Sequence, residues 1–455
     1  MSVHVTSQTR SPAGSSVGLR TFAVIWFGQV ISLLGSGLTS FALGLWVYQA
    51  SGSVTQFALT ALSATLPHLL LSPLAGSLAD HWDRRRTMIL SDLGAGLSTL
   101  AVAALLLGGR LQVWQVYLSA GVSAAFGAFQ FPAYSAAIGT LVPRRHLGRA
   151  NGLVQLGQAA SEILAPLLAG ALVGTIQVGG VIMIDCATFI FAVLTLLVVR
   201  IPQPPAVEMT DDYTQDARGA HDAPPAALAG AASAGWRFIL AHPGLLGLLG
   251  FLAIFKFLWG LVAATITPMI LGFADPAELG ALLSIAGVGL LSGSLLMSAW
   301  GGPSRRILGV LLFEGLTGLC FVLVGLRPIF WTVALGVFGA HACIAVISGS
   351  SQTLWQSKVP VGLQGRVFAA IQMASGASSP LAYILAGPLA ERVFEPLMAV
   401  DGPLTGSLGL VLGGGPGRGL ALLLVCIGLL KLAVSVAGGL YPPLRRVEDE
   451  LPDNQ

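Results

Sequence analysis

The sequence predicts an all-α membrane protein: twelve transmembrane helices arranged as two six-helix, pseudo-symmetric bundles. Three observations predict it. Hydrophobic residues make up 55% of the 455 positions and charged residues 9%, against about 25% charged in a soluble chain. The lysines and arginines fall on one side of the proposed spans far more often than on the other. One pattern of nine residues recurs in the second half without a gap.

The spans read, in order, as residues 21–48, 57–79, 87–107, 113–141, 150–176, 178–199, 245–271, 279–300, 307–326, 329–355, 367–390 and 420–440. Each is long enough to cross a hydrocarbon core at roughly 20 residues per crossing. The loops test the assignment. On the side holding both termini lie 17 of the 23 cations, among them Arg84, Arg85, Arg86, Arg149, Arg305, Arg306 and Arg366. Only Arg110, Arg327, Arg392 and Arg418 lie on the other. That split places both termini in the cytoplasm of a cell whose inner (plasma) membrane holds the protein. Residues 1–20 are polar, lack the apolar core of a cleavable leader, and read as a cytoplasmic N-terminal segment.

Residues 21–200 form the first bundle and 242–441 the second. Between them, 201–241 begins with a stretch rich in Pro, Ala and Asp that reads as a flexible cytoplasmic linker, with a short surface helix expected over 231–241. The tail, 442–455, is acidic and expected to be disordered from 447. The repeat joins Val142, Pro143, Gly148, Arg149, Gln155, Ala160, Ser161, Ala169 and Gly170 to Val359, Pro360, Gly365, Arg366, Gln372, Ala377, Ser378, Ala386 and Gly387. Every pair is 217 apart (359 − 142). Two halves with the same helix order and sidedness are parallel repeats about an axis along the membrane normal.

Composition also limits function. A net charge of +3 gives no reason to expect nucleic acid. The four cysteines lie in apolar runs and read as small fillers, with no disulfide or metal framework. No G-x4-G-K-[ST] or H-E-x-x-H motif is present. The chain therefore carries no sign of an enzyme or an ATP-driven pump, and no cofactor is expected.

The loop 76–86, G-S-L-A-D-H-W-D-R-R-R, carries a family resemblance. Gly76, Leu78, Asp80, Arg84 and Arg85 match the loop 2–3 signature G-x-L-x-D-x-x-G-R-[RK] of the major facilitator superfamily, with His81 and Asp83 departing from it. The D-x-W-[ND]-R-R form and A-N-G-L-V-Q at 150–155 resemble its macrolide-efflux and siderophore-exporter, drug:proton antiporter branch. Gly152, Ser161, Ala165, Pro166, Ala169 and Gly170 occupy its helix 5 antiporter signature, with small residues in place of three glycines. The resemblance implies a secondary transporter that exports bulky amphipathic molecules in exchange for protons by alternating access. An importer or a lysophospholipid flippase of the same fold is the alternative. The implied partners are a small-molecule substrate, protons and the lipid bilayer, with the protein acting as a monomer.

Candidate residues fall in three groups. Arg84, Arg85, Asp92 and Arg149, with counterparts Arg305, Arg306, Glu314 and Arg366, would form a charge cluster in each half. With Gly76, and with Asp80 reaching across by resemblance, they would hold a cytoplasmic gate. Glu162 and Lys256 lie deep in their spans, where charge is costly; Glu162 is the leading proton-coupling candidate and Asp185 the second. Lys431 reads as packing or snorkelling. Polar stripes at helical spacing mark four spans. Gln29, Ser32, Ser36 and Thr39 lie on the first; Ser119, Ser123, Phe126, Gln130 and Tyr134 on the fourth. Lys256, Gly260, Ala263 and Thr267 lie on the seventh; His341, Ser348, Gln352 and Trp355 on the tenth. By resemblance these helices line the substrate pathway, with Trp259 contributing. Any one of these polar groups could equally be an interhelical hydrogen bond.

Overall fold

The structure, a computed structural model, describes residues 12–79, 82–143, 146–199, 235–413, 415 and 417–450. The long helices are α1 (Pro12–Ser51), α2 (Val54–Ala79), α3 (Arg84–Leu107), α4 (Val113–Leu141), α5 (Leu147–Val198), α6 (Pro243–Leu271), α7 (Pro276–Trp300), α8 (Arg306–Leu326) and α9 (Phe330–Lys358). Next come α10 (Val361–Gly376), α11 (Ser378–Leu389), a π-helical turn at Ala390–Phe394, and the short α12 (Glu395–Met398) and α13 (Gly409–Leu412). The last are α14 (Arg418–Leu440), α15 (Pro442–Arg445) and α16 (Val447–Glu450). Every expected span is helical. Among the described residues, nine helices are long and apolar enough to cross a membrane. One of them, α5, is 52 residues long and breaks at Gln177 (φ 59, ψ 175), so it carries two spans as two limbs. The other two expected spans fall on α4, whose serines, glutamines and glycines dilute its apolarity, and on the α10–α11 pair.

Local chemistry sets the ends. Asp83, where the family signature has Gly, is the N-cap of α3: its carboxylate accepts from the Arg86 N–H at 3.0 Å. Asp275 caps α7 in a capping box with Glu278. Gly301 closes α7 at φ 79, a left-handed backbone that glycine adopts without strain. Large apolar side chains point outward, as a lipid-facing surface requires: Leu97 is 61% exposed and Leu295 71%.

Packing groups the chain into two compact units. The first comprises Met1–Ser40, Ser63–Ala165 and Ile176–Val207. Its core gathers Phe22 and Ile25 of α1, Met88 of α3, Tyr134, Ala137 and Ile138 of α4, and Leu196 of α5. The second comprises Phe41–Leu62, Pro166–Thr175 and Glu208–Gln455. It has one core around Leu261, Phe321, Val337 and Leu424, and another around Phe255, Val310, Leu354 and Val367. Within it, α8 and α14 meet backbone to backbone: a Cβ on Gly318 would lie 2.5 Å from the Gly428 carbonyl oxygen.

Two expectations about the connecting segments change. Residues 235–241 are helical as expected, yet this is more than a surface helix: Ile239 is fully buried in the second core. The tail is helical over Val447–Glu450. Val447 is buried, the Glu448 carboxylate accepts from the Ile307 N–H at the start of α8 (2.8 Å), and the Lys358 ammonium donates to the Glu448 carbonyl (2.6 Å). An unpaired helix N-terminus and an ammonium draw in an acidic segment that composition alone marks as solvated. Most of the expected linker, residues 201–234, lies outside the described residues.

Candidate functional site

In the first unit three helices meet at one carboxylate. Asp92 of α3 is only 8% exposed. Its Oδ2 accepts from Nε2 of Gln29 on α1 at 3.1 Å, and its Oδ1 accepts from Nε2 of Gln130 on α4 at 2.9 Å. The same Gln130 Nε2 donates its second proton to Gln29 Oε1 at 2.9 Å, closing a triangle. The rings of Phe126 from α4 and Phe189 from α5 lie over Gly94 and Gly96, leaving no room for side chains at either glycine and covering α3 next to the carboxylate. An ionised carboxylate only accepts, so both amides must turn their NH2 groups toward it. That orientation leaves Gln130 Oε1 buried without a partner, and the Tyr134 hydroxyl one turn further along is in the same state. Asp92 therefore sits among neutral donors.

The other first-unit candidates do not join this triangle. Asp185 is 4% exposed on the second limb of α5 and faces α1, where a Cβ on Gly35 would lie 2.7 Å from its Oδ1. Glu162 is exposed, as is Ser36; Ser32 is half-buried. Two of the signature residues on the first limb of α5 pack against α1: Ser161 donates to the Leu33 carbonyl at 3.1 Å, and Ala165 lies against Gly37; Pro166 and Gly170 lie instead against Gly280 of α7.

The second unit holds a different device. Lys431 of α14 is 2% exposed, and its Nζ lies 2.6 Å from Oε2 of Glu314 on α8. The ammonium also sits over the Phe255 ring at 4.4 Å and the Phe321 ring at 5.7 Å. Lys431 does not snorkel: its nearest counter-ion is in the interior, and two aromatic faces complete its shell. Trp259 packs against His341 at 5.2 Å and Phe321 at 5.6 Å. Lys256 and Gln352 are exposed, while Trp355 is buried with its indole N–H unpartnered.

The arginine-rich helix ends do not form the expected clusters around Asp92 and Glu314. Arg85 donates from Nε to the Leu196 carbonyl at 2.8 Å and from Nη2 to the Leu197 carbonyl at 2.6 Å, capping the C-terminus of α5. It thus ties α3 to the second limb of α5. Arg149, Arg305 and Arg366 are exposed, and Arg84 and Arg306 half-buried. Gly76 lies in α2; Asp80 lies outside the described residues.

At the opposite helix ends of the second unit is a site the sequence reading did not single out. The Glu391 carboxylate, in the π-helical turn, accepts from the Ser53 hydroxyl (2.7 Å), the Thr55 N–H (3.0 Å) and the Thr55 hydroxyl (2.8 Å). It caps the start of α2. Burial pushes its pKa up, but these hydrogen bonds outweigh burial and hold it below the ordinary value. Burial dominates at nearby Glu395, whose pKa is raised.

Comparison with known proteins agrees with this architecture. The profile of the Major Facilitator Superfamily matches residues 25–383. Macrolide efflux protein A of Streptococcus pyogenes is 25% identical over 382 residues, covering 82% of this chain and 90% of that protein. Multidrug efflux pump Tap of Mycolicibacterium fortuitum is 27% identical over 380 residues, covering 81% of this chain and 88% of that one. In fold, the chain is similar to a bacterial homologue of the human lysosomal transporter Spinster, with a TM-score of 0.66 and 14% identity over 97% of this chain and 98% of that one. A profile match over most of the chain, an apolar all-helical fold and the loop 2–3 signature lead to one conclusion: this protein is a multi-pass membrane transporter and belongs to the major facilitator superfamily.

Proposed function

We propose that the protein is a secondary active exporter of bulky amphipathic small molecules, working by alternating access and proton antiport. The observation that carries this reading is the likeness, over about four-fifths of the chain, to proteins named as macrolide and multidrug efflux pumps. Gln29, Ser32, Ser36, Gln130, Tyr134, Lys256, Trp259, Gln352 and Trp355 would contribute to the substrate pathway. Glu162 and Asp185 would take part in proton coupling. Gly76, Asp80, the loop arginines, Arg149, Arg305, Arg306 and Arg366 would form the cytoplasmic gate. The 17-to-4 cation split supports an inner-membrane protein with both termini in the cytoplasm. The gradient is an adequate source of work, since one charge crossing 100 mV yields about 2.3 kcal/mol.

An efflux-deficient bacterial host expressing the protein tests this. Resistance to erythromycin or to cationic dyes is expected to rise, and an uncoupler is expected to abolish the rise. Substrate uptake in place of efflux would overturn the direction of transport. Resistance indifferent to the uncoupler would overturn antiport.

A further inference from the structure

We propose that Asp92 is a proton-binding site whose occupancy is wired to the hydrogen bond joining α1 to α4; its role in transport rests on the antiport reading above. Donors and acceptors around the carboxylate set what protonation does. In the ionised state the triangle is complete for Asp92: two oxygens, each with a donor. A proton added to Oδ1 makes that oxygen a donor facing the Gln130 amide nitrogen, which has no lone pair to offer. The acceptor it needs is Gln130 Oε1, the atom now buried and unpartnered. Turning the Gln130 amide over brings Oε1 to the new O–H. The same turn removes Nε2 from Gln29 Oε1 and sets two carbonyl oxygens against each other. Protonation therefore reverses the bond between α3 and α4, with Asp92 now the donor, and breaks the one between α4 and α1. The proton is taken from solution and returned to it, and the O–H bond is the only covalent bond made or broken.

The surroundings suit a group that changes charge. No ion pair involves Asp92 among the described residues. α4 carries no charged residue, and α1 carries only Arg20, nine positions before Gln29. The other titratable groups on the elements packed around α3 are Tyr48 of α1, Tyr117 and Tyr134 of α4, and Arg149, Glu162, Asp185 and Cys186 of α5. On α3 itself Arg84, Arg85 and Arg86 lie six to eight residues before Asp92, and Arg85 is engaged by the carbonyls of α5.

The test uses the purified full-length protein. Infrared pH titration is expected to show a protonated-carboxyl band in the wild type that Asp92→Asn removes. In Gln130→Leu, which takes one donor from the carboxylate, the midpoint of that band is expected at higher pH. In liposomes with labelled erythromycin as probe, Asp92→Asn is expected to lower pH-gradient-driven accumulation by about tenfold, the scale of an ordinary coupling between two sites. A band left intact by Asp92→Asn would overturn the proposal. If Asp92→Asn does not fold, an unmoved midpoint in Gln130→Leu would overturn it instead. A wild type that shows the Asp92 band but no response to the gradient would sink the antiport reading and leave the proton site standing.

Discussion

Asp92 and Glu314 are counterparts in the two repeats, eight residues after Arg84 and nine after Arg305 respectively, and both are buried. Their partners differ. Asp92 is held by two amides, from α1 and α4; Glu314 is held by the ammonium of Lys431, from α14. A carboxylate among amides can gain a proton and keep its neighbours neutral. A carboxylate in a buried ion pair cannot, because neutralising it strands a cation where desolvation is severe. Sequence symmetry thus coexists with a division of labour: one half carries a switch, the other a fixed brace.

Four variants would break or sharpen that contrast. The largest effect is expected from Lys431→Met, which leaves Glu314 buried and unpaired. It should cost about 3–5 kcal/mol of stability, read as a large fall in thermal unfolding temperature in detergent. Adding Glu314→Gln should restore most of the loss. If the single change is silent, the brace is not one.

Gln29→Lys is next. It gives Asp92 the kind of partner Glu314 has, in the same triangle. The fold should persist, while proton-driven accumulation in liposomes falls about tenfold. Retained proton-driven transport would show that a carboxylate in an ion pair serves equally well.

Glu391 is a third arrangement, a carboxylate held by neutral donors at a helix end, outside the spans. Glu391→Gln should cost about 1 kcal/mol, the worth of a capping side chain. Its folded pKa is below its ordinary value of 4.5, so the sign is fixed. The stabilisation is fully present above pH 4.5 and is lost as pH falls through the depressed folded value. A stability difference between wild type and Glu391→Gln that narrows in acid, followed by chemical denaturation, would confirm this.

The smallest change is a control. Gln177 alone among the described non-glycine residues has positive φ. Gln177→Gly should stabilise by about 1 kcal/mol and leave proton response and the Lys431 brace untouched.

Much of this was legible in the residues. The span boundaries follow from hydropathy. Gln29 and Gln130 stand out in the sequence as members of polar stripes, Asp185 and Lys431 as charges in apolar runs, and Asp92 and Glu314 only as members of cytoplasmic charge clusters. The assignment of Asp92 to a cytoplasmic cluster failed on length. Seven residues separate it from Arg85, about 10 Å along a helix axis, and Arg85 extends instead to the carbonyls that end α5. Glu314 is separated from Arg305 and Arg306 in the same way. For Lys431 the sequence leaves packing and snorkelling both open, and no local signal shows that α8 brings a carboxylate to it. Glu391 and Glu448 were passed over because each caps a helix far away in sequence.

The chain by itself determined the helices, their order and the sequence repeat. These follow from periodicity and apolar length, which are properties of one segment at a time. Only the tertiary structure decided which buried charge meets which partner. A helix's rotation and depth against its neighbours is set by small-residue contacts such as Gly318 against Gly428. The same packing chose an amide pair for one acid and an ammonium for the other.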